Sequence, residues 1–150
     1  MNAYWKWGGE ARHLGYLKEE QKVLATLLPE QVRGLLHFKP VRRNETRDWA
    51  MGLTALDTGL RLQEVLSLTR QDLNLDNLTI LVHGKGNKQR LVPMSVELRK
   101  VLFRYINKYR FDRVFCTCRG TAVTPRNADR DFKVVCKKAG LIGCAARFTR

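Results

Sequence analysis

The chain has 150 residues, of which 44% are hydrophobic, so it is long and apolar enough for one domain with a buried core and is unlike a disordered protein. Lys and Arg number 28 against 14 Asp and Glu, a net charge of +14. No apolar run approaches the roughly 18 residues of a membrane span, and the start lacks the apolar stretch of a signal peptide, so we expect a soluble intracellular protein.

The positive charge is concentrated in the second half of the chain. Residues 1–75 hold 11 basic and 9 acidic side chains, a net charge of +2, whereas residues 76–150 hold 17 and 5, a net charge of +12. Such a field attracts polyanions, because each phosphate that Lys or Arg neutralises releases counterions. The composition therefore favours nucleic-acid binding.

The cysteines and histidines do not indicate a metal site. Cys116 and Cys118 form C-x-C rather than C-x-x-C, and no His is close to them in sequence. Without a secretory signal, we interpret the four cysteines as reduced thiols. The three scattered histidines are interpreted as surface or packing residues. We expect neither a metal nor a cofactor.

The first third of the chain predicts a leading segment and one helix. Residues 1–26 show no clean period and are interpreted as a linker or the remnant of an upstream domain. Pro29 opens a helix over PEQVRGLLHF, and Pro40 ends it. Leu35 and Leu36 are expected on its buried face.

Two further helices are predicted in direct succession. Asn44 is a good N-cap for the first of them, which Gly59 ends as a left-handed C-terminal residue would. The residues expected to be deeply buried in it are Trp49, Met51, Leu53 and Leu56. The next helix covers LRLQEVLSLT. The residues expected to face inward are Leu62, Val65, Leu66 and Leu68.

The second half predicts a β-hairpin and two helices. LTILVHG and RLVPM are short strands around the turn-rich loop GKGNKQ. Ser95 can cap an amphipathic helix that follows, and RVFCT is a candidate for one more strand. Thr124 and Pro125 form an N-cap and N1 pair for a helix to about Ala139, which Gly140 closes.

The heptapeptide TGLRLQE contains the first candidate site residues. Arg61 is expected in the first turn of a helix, close to exposed N–H groups, where a planar guanidinium can hold two phosphate oxygens. Glu64 is three residues on and shares its side of the helix. The alternative is a helix-start Arg that is solvated or paired with Glu64.

The loop GKGNKQR contains the second group. Its glycines keep it slim enough to enter a groove, while Lys85, Lys88 and Arg90 bring positive charge to its tip. The spacing is not that of a nucleotide-binding P-loop, and a strand follows rather than a helix, so we reject that function. A solvated basic turn remains the alternative.

The third group lies at the start of the helix after Thr124. Arg126, Asn127 and Arg130 are of the residue types that reach base edges or phosphates when a helix start enters the major groove of DNA. The alternative is an ordinary charged helix face.

Together these motifs resemble a known family. TGLRLQEVLSLTRQDLNLDNLTILVHGKGNKQRLVPM is similar to the first conserved block and β-hairpin of the tyrosine recombinases, or phage integrases, and especially of their Xer-type members. The resemblance extends from about Leu28 to the last residue. The pairing of TGLR-x-x-E with GKGNKQR-x-V-P at this separation is what makes it specific.

The resemblance implies a role for each residue of the first two motifs. Arg61 would bind the scissile phosphate, and Glu64 would be an accessory residue that helps to hold the arginines. Lys85 would be the general acid for the departing 5′-oxygen. These roles fit the chemistry, because fixed cations stabilise a pentacoordinate phosphorane and can protonate a leaving oxygen.

The family's remaining active-site residues are not found in this sequence. They are the His and Arg of an H-x-x-R motif, a later His or Trp, and the tyrosine nucleophile. The end, FKVVCKKAGLIGCAARFTR, resembles what precedes H-x-L-R-H in relatives, and the four tyrosines stand in the wrong context for a nucleophile. We therefore expect a C-terminally truncated catalytic domain that is inactive alone.

The implied fold is α+β: mostly helical, with a small β-hairpin or antiparallel sheet, and lacking the last helices. Residues 27–150 would be the N-terminal part of an integrase catalytic domain. Loss of the last helical layer is expected to leave an apolar face exposed.

The implied function is DNA integration and recombination as part of a phage or other mobile element, in the prokaryotic cytoplasm or nucleoid. The expected partners are double-stranded DNA and other recombinase subunits, with no membrane and no small-molecule substrate. Two alternatives stay open. One is a non-catalytic DNA-binding module that competes with full-length recombinase, and the other, which charge alone allows, is a basic RNA-binding protein.

Overall fold

The structure is a computed structural model that describes residues 27–84 and 88–141; the predictions for residues 1–26, Lys85 and Cys144 lie outside that part. The described elements confirm the mostly helical α+β class. In chain order they are α1 (Pro29–His37), α2 (Arg43–Thr58), α3 (Leu62–Ser67), a 3₁₀ turn (Arg70–Asp72), β1 (Leu73–Asn74), β2 (Thr79–His83), β3 (Gln89–Pro93), α4 (Val96–Lys108) and α5 (Pro125–Lys138).

Helix α2 is the centre of the fold, and α1, α3, α4 and α5 all contact it. Its approach to α5 is close because Gly52 has no side chain: a Cβ built there would overlap the Phe132 ring. The largest fully buried side chains come from the helices, the sheet and the segment between α4 and α5, and include Leu35, Met51, Ile80, Leu102 and Phe115.

Helix ends follow the predicted capping residues at three places. Gly59 ends α2 at φ 65°, a left-handed conformation that suits glycine. The Ser95 hydroxyl accepts a hydrogen bond from the Leu98 N–H at 3.1 Å at the start of α4. The Thr124 hydroxyl accepts one from the Asn127 N–H at 3.3 Å at the start of α5. Both hydroxyls satisfy a backbone donor that a helix start leaves unpaired.

Two sequence predictions about the elements are wrong: the start of α2 and the strand at RVFCT. Helix α2 begins at Arg43 with Arg42 as its N-cap, not at Asn44. The Arg42 N–H donates to the Glu45 carboxylate at 3.3 Å, so an acid three residues on does the capping. The segment RVFCT is not a strand: it makes only isolated bridges, at Thr69–Arg113 and Cys116–Ala122.

Burial also differs from the helical pattern at three positions. Leu36 is 50% exposed and Leu56 is 40% exposed, although both fit the apolar stripes of their helices. Trp49 is only partly buried, and its indole N–H donates to the Leu35 carbonyl at 2.8 Å, which links α2 to α1. The spacing of apolar residues shows which side of a helix is apolar, but not how much of that side a neighbouring element covers.

The three strands form an antiparallel sheet in the order β1-β2-β3. Within β2, Ile80 and Val82 are buried in the core while neighbouring residues point to the other face. Arg90 of β3 lies opposite Val82, and Gln89 lies opposite His83. The hairpin is confirmed, with β3 at the edge.

Helix α5 is also tied to α2 by a buried ion cluster. The Arg47 guanidinium donates to Asp48 at 2.7 Å and to Asp131 of α5 at 3.2 Å. The Arg47 and Asp48 side chains are only 6% and 3% exposed.

Among the residues that the structure describes, no helix is both long and apolar enough to cross a membrane.

Candidate nucleic-acid interface

Arg61 lies at the junction of α2 and α3 with its side chain in solvent. Gly59 turns the chain, Leu60 is buried beneath it, and Arg61 follows as the N-cap of α3 rather than as a first-turn residue. Its side chain is 69% exposed. The backbone is therefore fixed by the turn and the cap, while the guanidinium remains available to a ligand.

Glu64 holds two arginines from a buried position. Its side chain is 8% exposed, and it accepts the Arg61 backbone N–H at 2.9 Å. The Arg90 guanidinium binds both carboxylate oxygens, each at 3.0 Å, in a bidentate pair. The Arg61 guanidinium is also close, with Nη1 3.8 Å from Oε1.

The electrostatics of Glu64 favour the ionised form. Burial is the largest single influence and opposes ionisation, but the hydrogen bonds from Arg90 and from the Arg61 N–H, with the charges of both arginines, together hold the pKa of Glu64 below its usual value. A carboxylate that favours its ionised form suits the predicted role of holding the arginines.

The pairing of Arg90 with Glu64 is not predicted by the sequence. The prediction places it among DNA ligands at the tip of the loop, whereas the structure places its guanidinium on Glu64, 26 positions away in sequence. Its side chain is 46% exposed. No local pattern reports a pairing between a strand and a helix at that separation.

The described end of the hairpin presents Lys88. The Gly84 N–H donates to the Lys88 carbonyl at 2.8 Å, which extends the β2–β3 ladder by one step, and the Lys88 side chain is exposed. Lys85 lies between the two described stretches, so its role as general acid stays a prediction.

His83 takes part in a second carboxylate network, which the sequence does not predict. Its Nε2 is 3.2 Å from Asp72 Oδ1, and its Nδ1 is 3.5 Å from the Gln89 amide nitrogen. With the proton on Nε2, the ring donates to Asp72 and accepts from Gln89. The other oxygen of Asp72 accepts from both the N–H (2.8 Å) and the hydroxyl (2.7 Å) of Thr69.

Asp72 is held ionised in the same way as Glu64. Burial is again the largest influence and opposes ionisation, yet the two hydrogen bonds from Thr69 and the contact with His83 together keep the pKa of Asp72 below its usual value.

The third predicted group lies exposed on the first turns of α5. Arg126, Asn127 and Arg130 are all exposed, and the Arg130 guanidinium donates to Asp131 at 3.1 Å. In residues 27–84 and 88–141, no hydrogen bond or ion pair joins them to Arg61 or Arg90. The structure thus brings Arg61, Glu64 and Arg90 together and leaves the α5 residues as a separate group.

The described residues contain no group of three or more His, Cys, Asp or Glu that could hold a metal ion. Cys116 is buried, which raises the pKa of its thiol, and Cys118 is exposed; neither is in a disulfide. The charged chemistry of this surface is therefore carried by arginine and lysine side chains and by the carboxylates that hold them.

Known proteins share both this sequence pattern and this fold. The model of the phage integrase family matches residues 25–149. A tyrosine recombinase XerC of Anoxybacillus flavithermus is 30% identical over 135 residues, which is 83% of this chain and 45% of the relative. A tyrosine recombinase XerD of Listeria monocytogenes is 34% identical over 104 residues, 63% of this chain and 35% of the relative.

Solved recombinases have the same arrangement of elements. The XerH site-specific recombinase bound to its difH substrate, in a pre-cleavage complex, superposes with a TM-score of 0.66 at 26% identity over 80% of this chain and 39% of that one. The XerA recombinase has a TM-score of 0.67 at 24% identity over 81% of this chain and 45% of that one, a likeness of fold. The chain spans less than half the length of each of these proteins. With a match over most of its length, the chain belongs to the phage integrase family of tyrosine recombinases.

Proposed function

We propose that this chain is the part of a site-specific recombinase that binds duplex DNA, with Arg61 as the ligand of the scissile phosphate. The observation that carries the proposal is the arrangement at Arg61. Its guanidinium is exposed, while its backbone N–H donates to the buried, ionised carboxylate of Glu64. Because the Arg61 backbone is already ordered, only its side chain loses freedom when a phosphodiester binds, and the guanidinium can then stabilise charge that develops in the transition state.

The other predicted residues take supporting roles in this proposal. Glu64 keeps its accessory role, and its contacts with two arginines support it. Lys85 keeps the role of general acid as the family resemblance implies. Lys88, on the exposed end of the hairpin, would contact the DNA backbone.

The exposed start of α5 is proposed as a second contact with the duplex. Arg126, Asn127 and Arg130 would face a groove or the phosphates beside it. The net charge of +12 in residues 76–150 supports this placement, because the hairpin and α5 both belong to that half.

The chemistry proposed for a protein with the complete active site is transfer of a phosphodiester to a tyrosine and back. The tyrosine hydroxyl gives up its proton to a base as its oxygen bonds to phosphorus, the bond from phosphorus to the 5′-oxygen breaks, and Lys85 donates a proton to that 5′-oxygen. The 150 residues contain no H-x-x-R motif. We therefore expect a polypeptide of this sequence to bind a suicide DNA substrate without forming a covalent adduct.

The proposal extends to place and partners. The relatives named above come from bacteria, which supports action on DNA in a bacterial cytoplasm. Solved relatives such as XerH were captured on DNA, which supports duplex DNA as the partner here. Other recombinase subunits are proposed as further partners.

Titration of duplex DNA at several salt concentrations tests the proposed function. We expect affinity to fall steeply as salt rises, with a slope that reports the number of phosphates neutralised. Arg61→Ala should weaken binding about tenfold and lower the slope by about one, while the circular dichroism spectrum and midpoint of unfolding stay unchanged.

The matched control is Arg104→Ala, which removes one exposed positive charge from α4. Within the described part of the chain, the Arg104 guanidinium donates to the Lys100 carbonyl of the same helix. A salt-independent affinity for DNA, or tighter binding of structured RNA than of duplex DNA, would overturn the proposed function. Unfolding of Arg61→Ala would instead assign Arg61 a structural role.

A further inference from the structure

The loop end of the hairpin is held from both faces by buried carboxylates. Arg90 lies opposite Val82 in the ladder and His83 opposite Gln89, so Arg90 and His83 point to opposite faces of the sheet. Glu64 of α3 binds Arg90 on the face that carries Val82. Asp72, at the end of the 3₁₀ turn, binds His83 on the other face.

Both carboxylates are themselves fixed in place. Glu64 accepts the Arg61 N–H at the start of α3, and Asp72 accepts the N–H and hydroxyl of Thr69. Their side chains are 8% and 10% exposed. A buried and multiply bonded acceptor moves little, so each can define the position of the strand residue that it binds.

Arg90 is poorly placed to leave Glu64 for a phosphate. Its two terminal nitrogens are used in the bidentate pair. Among the contacts of the described residues, its departure would leave the buried carboxylate with those of Arg61. Unpairing a buried charge is costly. His83 is similarly engaged at both ring nitrogens.

We propose that His83 and Arg90 are positioning residues, which bind Asp72 and Glu64 and so fix the place at which Lys88 is presented to DNA, and that neither is a phosphate ligand. The link to DNA rests on the proposed function, whereas the claim that His83 and Arg90 anchor the loop end of the hairpin does not. It changes the predicted role of Arg90 from DNA ligand to anchor, and gives His83 a role beyond surface packing.

Salt titration separates an anchor from a phosphate ligand. Lys88→Ala, which removes a proposed phosphate contact, should lower the slope of log affinity against log salt by about one. Arg90→Gln and His83→Ala should weaken DNA binding about three- to tenfold with the slope unchanged, because the number of phosphates contacted stays the same while their cations are misplaced. A slope for Arg90→Gln that falls as far as that of Lys88→Ala would overturn the proposal.

Amide hydrogen exchange tests the anchors without DNA. The Gly84 N–H, which donates to the Lys88 carbonyl, should exchange about tenfold faster in Arg90→Gln and His83→Ala and at the wild-type rate in Lys88→Ala. The double variant Glu64→Gln with Arg90→Gln, in which two amides face each other without a buried charge, guards against general unfolding and should recover part of the protection.

The two measurements fail separately. If the wild-type chain does not bind duplex DNA, the proposed function is lost, and the exchange rate of Gly84 still decides whether the anchors exist. If the Gly84 rate is unchanged in both single variants, the positioning roles of His83 and Arg90 are refuted, whatever the DNA measurements show.

Discussion

The buried cluster of Arg47, Asp48 and Asp131 should make α2 and α5 sensitive to loss of one carboxylate. Arg47 donates to Asp48 at 2.7 Å with both side chains almost fully buried, and to Asp131, which is 28% exposed, at 3.2 Å. Among the partners that the described residues supply, Asp48→Ala would leave the buried guanidinium with the partly exposed Asp131. Breaking a buried pair in this way costs about 3–5 kcal/mol.

The two carboxylates should differ in cost because their burial differs. Asp131 is partly exposed and also contacts Arg130, so Asp131→Ala leaves Arg47 with its shorter bond to Asp48 and should cost about 1 kcal/mol. Replacement of the inner pair by apolar residues, Arg47→Met with Asp48→Leu, removes both buried charges and should leave stability within about 2 kcal/mol of wild type.

Urea unfolding at neutral pH, followed by circular dichroism, measures all three variants. Since small domains are stable by about 5–15 kcal/mol, Asp48→Ala should show a much lower midpoint or unfold without denaturant, whereas the double variant should fold. The reasoning is refuted if Asp48→Ala loses no more stability than Asp131→Ala, or if the double variant is the least stable of the three.

Two further predictions concern the charged network and the start of α4. Because the pKa values of Glu64 and Asp72 are held below the usual value of about 4, their ionised forms stabilise the fold above that pH, and this contribution is lost as the pH falls through the lowered folded-state pKa values. Urea titrations from pH 7 to pH 3 should show that loss, and Glu64→Gln should show less of it; stability that rises on acidification contradicts the assignment. Ser95→Ala removes the acceptor of the Leu98 N–H and should lower the free energy of unfolding by about 1 kcal/mol. Ser95→Asp, which keeps an acceptor at this position, is the control. An unchanged unfolding midpoint for Ser95→Ala would show that the cap does not stabilise the fold.

The local elements of this protein could be predicted from its sequence because they depend on near neighbours. Thr124 and Pro125 start α5, Ser95 starts α4 and Gly59 ends α2, each through backbone groups within a few positions. The change from helical period to alternating, β-branched residues similarly marks the hairpin. The family was recognisable for the same reason, since TGLR-x-x-E and GKGNKQR are short contiguous motifs.

The sequence was less informative wherever a long-range contact competes with a local preference. Asn44 is a good cap by residue type, but Glu45 reaches back to Arg42 and starts α2 earlier. RVFCT has the composition of a strand but finds no neighbouring strand to pair with over its length, since the described bridges around it are isolated. Leu56 fits the apolar stripe of α2 and is exposed all the same.

The sequence by itself determined the order of the helices and of the β2–β3 hairpin, the excess of positive charge, and the presence of Arg61 and Glu64 three positions apart. Only the tertiary structure decided that Arg90 is bound by Glu64 and His83 by Asp72, and that Arg47 is buried. Caps and periodicity act over a few residues and can be read from the chain. The partner of a buried charge depends on which surfaces the packed helices and sheet bring together, and that information is shared among segments far apart in sequence.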